Sequence, residues 1–102
     1  MDERDEWRLR TDHKTDGLVK FLEARLGEAF HAAEQDSPQW RDVVGKRMIV
    51  ERCRSVIARP YRGDEDLLRH VAYETLQDLA RPWAGARDGT GRHPDYLDQW
   101  RP

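Results

Sequence analysis

The sequence of 102 residues predicts an all-α protein: a three-helix bundle with a disordered or frayed N-terminal arm and a C-terminal tail whose short helical turn packs on the bundle. Three observations point there. Apolar residues recur at three- and four-residue intervals along three stretches. No segment alternates β-branched residues as a strand would. Prolines fall at the ends of the apolar stretches rather than inside them, at Pro38, Pro60 and Pro82, with Gly63 close to Pro60.

Residues 1–15 carry both signs of charge and only Trp7 and Leu9 as sizeable apolar groups. Too little can be buried there for the segment to fold alone, so it reads as a loosely held charged arm or a frayed extension of the first helix. The first helix is expected over about 16–34, with Asp16 as N-cap and a stripe of Leu18, Val19, Leu22, Leu26, Ala29, Phe30 and Ala33. Gln35-Asp36 ends it. Ser37-Pro38 then starts the second helix, a capping hydroxyl followed by proline at the first helical position. That helix is expected over 38–59, with Val43, Ile49, Val50, Cys53, Val56 and Ile57 on one arc. The third, over 64–81, opens on Asp64, Glu65 and Asp66, where negative charge suits the helix dipole. Its stripe is Leu67, Leu68, Val71, Ala72, Thr75, Leu76 and Leu79, and Tyr73 falls off it as an exposed aromatic. Residues 84–92 hold three glycines and read as loop. Residues 93–100, His93 to Trp100, read as a tail turn with Pro94 near its start and Asp95 helping to cap it. Trp40, Trp83, Tyr96 and Trp100 are expected to supply much of the buried area.

Composition narrows the function classes. A chain this size is one domain, which excludes an enzyme built on a cleft between lobes. Charged and apolar residues each make up 37%, and no apolar run approaches the roughly 18 residues of a membrane span. Met1 to Arg8 is charged where a signal peptide needs an apolar core, and Cys53 is the single cysteine, so a cytoplasmic protein without disulfides is expected. The net charge of −2 conceals an uneven distribution. Between Arg41 and Arg62 there are seven basic residues against two acidic ones, and the rest of the chain has 11 basic against 18 acidic.

Five arginines of that segment divide between two helix sides, Arg41, Arg52 and Arg59 on one and Arg47 and Arg54 on the next. Such a face can follow a phosphate backbone or receive an acidic partner, and it can equally be a solvated flank. His93-Pro94-Asp95 is a conceivable acid–base pair held by proline, but scaffolding of the tail is the simpler reading. Cys53 lies on an apolar arc and reads as a small buried hydrophobe. His31 with Glu34 and His70 with Glu74 are the only local ligand pairs, and Gly89-Thr90-Gly91 follows no strand, so no metal, cofactor or catalytic residue is expected.

Four blocks carry a resemblance: Leu18-Val19-Lys20-Phe21-Leu22-Glu23-Ala24-Arg25-Leu26, Val44-Gly45-Lys46-Arg47-Met48-Ile49-Val50-Glu51, Thr75-Leu76 through Leu79-Ala80-Arg81-Pro82-Trp83-Ala84, and the ending His93-Pro94-Asp95-Tyr96-Leu97-Asp98-Gln99-Trp100-Arg101-Pro102. Through them the chain resembles a family of short, uncharacterised actinobacterial and actinophage proteins. Trp83 stands where that family usually has tyrosine, and the glycine-rich loop is longer than its counterpart. The resemblance implies a lineage and a compartment but no reaction. It also implies that Lys46, Arg47, Trp83, His93, Asp95, Tyr96 and Trp100 belong to a shared surface or scaffold. The expected function is thus a small non-enzymatic interaction or regulatory protein with a protein partner. The alternative is nucleic-acid binding through Arg41, Arg52, Arg54 and Arg59. An apolar stripe larger than three helices need would predict a dimer.

Overall fold

The computed structural model describes residues 3–58 and 66–102, with side chains from Thr15 onward in the first helix and from Leu67 onward in the third. Three helices make up the bundle: α1 (Glu3–Ala32), α2 (Pro38–Ala58) and α3 (Asp66–Ala80). Single 3-10 turns follow at Arg81–Trp83 and Asp98–Trp100, and no strand occurs among the described residues. All three helices touch one another. At about 1.5 Å per residue, the 30 residues of α1 account for most of the 49 Å long axis, and the molecule is only 17 Å along its shortest.

α1 begins well before residue 16. Its backbone is helical from Glu3, so the segment ahead of the first apolar residues continues the helix, and Asp16 sits inside α1 rather than capping it. The boundary between α1 and α2 follows the sequence closely. Asp36 takes a left-handed conformation (φ 64°), which aspartate tolerates because its short side chain can bond locally. The Ser37 hydroxyl then accepts the Trp40 N–H at 3.1 Å, and Pro38 occupies the first turn, where its missing N–H costs nothing. The expected end of α2 at Arg59 and the Asp64 start of α3 lie outside the described residues.

The core is built from Leu18, Leu22 and Leu26 of α1, Val43, Val50 and Cys53 of α2, and Ala72, Leu76 and Ala80 of α3. Burial pushes the Cys53 thiol above its ordinary pKa, the state of an inert packing group rather than a nucleophile. Tyr96 and Trp100 of the tail complete this core against α1. Two expectations need correcting. The α3 stripe is wider than the bundle covers: Ala72 and Leu76 are buried, but Leu67, Leu68 and Val71 are exposed. Tyr73 is half-buried against the core instead of exposed, and burial, with Tyr96 nearby, raises its phenol pKa.

Candidate functional site

The tail returns to α1 because the loop before it is tied shut. Gly85 has φ 68°, and a Cβ there would fall 2.5 Å from the Arg92 backbone nitrogen and 2.6 Å from the Thr90 carbonyl oxygen. Only glycine fits a backbone that close. Ala86 N–H donates to the Thr90 carbonyl at 2.9 Å, and Thr90 N–H donates to the Asp88 carboxylate at 2.9 Å; the Thr90 side chain first, and then this N–H, hold that acid below its usual pKa. At the base of the loop His93 N–H donates to the Trp83 carbonyl at 2.9 Å, and Arg101 Nη2 donates to the Ala84 carbonyl at 2.7 Å.

Beyond that closure the tail meets Phe21. Its ring is the hub of the junction, with Trp83, His93, Tyr96 and Trp100 centred 5.2 to 5.9 Å away, three of them edge-on. Edge-to-face rings at these separations add to what their area burial contributes. Gly17 makes room: a Cβ there would sit 3.3 Å from Trp100 Cζ2. Next to Phe21, the side chain of Arg25 is only 11% exposed and stacks over the same ring. Its Nη1 contacts the His93 ring, 3.2 Å from Nδ1 and close to Nε2, and lies 3.5 Å from the Asp95 carboxylate, while its Nη2 bonds Glu28 at 2.8 Å.

The turn is capped differently from the expectation. Asp95 makes no cap for the 3-10 turn; its own N–H donates to His93 Nδ1 at 3.0 Å, so the histidine side chain closes the turn. Donors from Asp95 and Arg25 converge on this ring. Nδ1 accepts the Asp95 N–H, and the Arg25 guanidinium lies against the ring, so the histidine ties the tail to α1. Tyr96 and Trp100 are 1% and 3% exposed, out of a partner's reach while the tail is docked. Trp83 is half-buried and the Asp95 carboxylate exposed. Sequence reasoning passed over Phe21 and Arg25, though they lie three and seven residues beyond Leu18, on the same side of α1.

The basic residues of α2 form no continuous free surface. Lys46 pairs with Asp42 at 2.8 Å, Arg54 with Glu23 at 3.5 Å and Glu51 at 3.7 Å, and the Arg47 guanidinium lies 4.8 Å from the Phe30 ring centre. Arg41 and Arg52 remain exposed with no ion pair among the described residues; Arg59 is outside them. Phe30 also meets Trp40, at 5.7 Å, so half-buried Trp40 fastens α2 to the end of α1. No three His, Cys, Asp or Glu side chains gather closely enough to hold a metal among the described residues, and no helix there is long and apolar enough to cross a membrane.

Apolar groups face outward elsewhere. Leu67, Leu68 and Val71 are 70%, 54% and 52% exposed on the first half of α3, and Met48 and Ile49 are exposed on α2. Comparison with known proteins found no matching family model, no matching curated protein and no matching solved structure.

Proposed function

We propose that the protein is a non-enzymatic binding module of the cytoplasm that docks another protein on the outer face of α3. The observation that carries this reading is the exposure of Leu67, Leu68 and Val71, three large apolar side chains within two helical turns. Single exposed apolar residues are ordinary, whereas a contiguous group on a small monomer marks a contact surface. The tail supports the same reading by exclusion, since its aromatic residues are consumed in packing. The lineage implied by the four sequence blocks, actinobacteria or their phages, indicates the lysate to use. Tagged protein should retain a stoichiometric partner that Val71→Glu loses while melting at the same temperature. Equal recovery by both proteins would rule out the α3 face.

A second reading is nucleic-acid binding through the outer side of α2. It is favoured by Arg41 and Arg52, which are exposed and carry no ion pair among the described residues. Fluorescence anisotropy with duplex and single-stranded oligonucleotides should then show salt-dependent binding whose log–log slope falls by about one in Arg52→Ala. No binding at low salt and micromolar protein would dismiss it.

A further inference from the structure

We infer that the outer side of α2 is a second contact surface, separate from the α3 face, and that its occupant is an acidic amphipathic helix presented by a partner protein. Two shallow depressions lie along it. One is lined by Phe30 of α1 with Trp40, Val44, Arg47 and Met48 of α2, the other by Met48, Arg52, Ser55 and Val56. They share Met48 and Glu51, so they run together as one trough from Trp40 to Val56. At about 1.5 Å per residue that is roughly 24 Å, the length of a helix of about four turns. Met48, at its middle, is 55% exposed, and a flexible, polarisable side chain there suits a docked apolar ridge.

Charge selects the occupant. Arg47 lines the first depression, Arg52 lines the second, and Arg41 lies one turn before Val44. All three are exposed, and none has an ion pair among the described residues. The acids of the same stretch are already engaged, Asp42 with Lys46 at 2.8 Å and Glu51 with Arg54 at 3.7 Å. Away from the trough, by contrast, Arg25 pairs with Glu28 at 2.8 Å, Arg81 with Asp78 at 2.8 Å and Arg92 with Asp98 at 3.0 Å. In a chain with 20 acids against 18 lysines and arginines, three unmatched arginines around an apolar trough are a local excess that an acidic segment would neutralise.

The apolar floor favours a peptide over a nucleic acid. A phosphate backbone gains nothing from Val44, Met48 and Val56. Phe30 already receives the Arg47 guanidinium at 4.8 Å and Trp40 at 5.7 Å, so its ring is not open for a base to stack upon. A helix laid along the trough uses all of it. Apolar residues at every third or fourth position would rest on Trp40, Val44 and Met48, and acids on the helix flank would reach Arg41 and Arg52, about 16 Å apart along α2.

The test uses the full chain and a library of random 16-residue peptides displayed on phage. Enriched peptides should carry apolar residues at helical spacing together with Asp or Glu, and a synthetic copy of the best one should bind less tightly as salt rises. Arg41→Glu/Arg52→Glu should weaken that peptide by roughly tenfold or more. Met48→Gln should weaken it by roughly fivefold, which attraction between charges alone would not do. The altered positions on α2 are exposed, so unchanged circular dichroism melts separate lost contact from lost folding. Enrichment of no peptide, enriched peptides without acids, or equal binding to the charge-reversed variant overturns the acidic helix as occupant. So does binding of single-stranded or duplex oligonucleotides where the peptides fail. Val71→Glu should leave the peptide's affinity unchanged, and because that variant reports on the α3 face alone, failure on α2 leaves the reading of α3 standing.

Discussion

The junction of α1 with the tail and the outer face of α3 are similarly apolar in sequence and opposite in structure. At the junction Phe21 is surrounded by four aromatic rings, and Tyr96 and Trp100 are almost wholly buried. On α3, Leu67, Leu68 and Val71 carry the regular helical spacing that normally signals a core, and they face outward. Helical periodicity tells which residues share a side. Whether that side is covered depends on what else the chain can bring to it, and here the tail is brought to α1.

Trp100→Ala tests that contrast most severely. It removes a buried indole from above Gly17 and should cost about 3–5 kcal/mol, read as a lower urea midpoint. A loss near zero would mean that the tail does not contribute to the core. Gly85→Ala strikes the same junction indirectly, by forcing a Cβ into the backbone of Arg92 and Thr90. We expect a loss of about 2 kcal/mol, with hydrogen-exchange protection falling first at the His93 and Tyr96 amides.

The fold was largely legible in the sequence. Three amphipathic stretches, the Ser37-Pro38 start and the turn at Asp36 rest on local chemistry that adjacent residues specify. The junction was legible only in part. Tyr96 and Trp100 could be recognised as bulky groups needing cover, but their acceptor, Phe21 with Arg25, is about seventy residues away, and a single-helix pattern holds no signal that a tail will return. The α3 face differs from the expectation for the complementary reason: its stripe reads as covered, and among the described residues Leu67, Leu68 and Val71 stay exposed.

Tyr96→Phe sharpens the comparison in the opposite direction. The phenol oxygen is buried without a hydrogen-bond partner, so removing it should stabilise the fold by up to about 1 kcal/mol. Burial raises the Tyr96 pKa; Asp98 raises it further and Arg101 opposes. A raised folded pKa gives a contribution fully present below the unfolded value of about 10 and lost as pH climbs through the folded one. Wild-type stability should therefore fall above pH 10. Tyr96→Phe should flatten that fall without abolishing it, because the Tyr73 pKa is raised too. An unchanged alkaline slope would contradict the burial of the Tyr96 phenol.

Leu68→Gln is the smallest expected effect. On an uncovered face it should shift the isolated chain by no more than about 0.5 kcal/mol. A loss of several times that in dilute solution would show that the face is already covered within one copy.

The hydrogen bond from His93 to the Trp83 carbonyl has a consequence for how this chain can vary. With its two ends fastened at the base, the segment from Ala86 to Gly91 is a closed lariat, and Arg92 at its foot pairs with Asp98 of the tail at 3.0 Å. Residues could be added or removed near Gly89 while the tail keeps its seat on Phe21. That makes the lariat tip the natural place to carry an inserted tag or fluorophore.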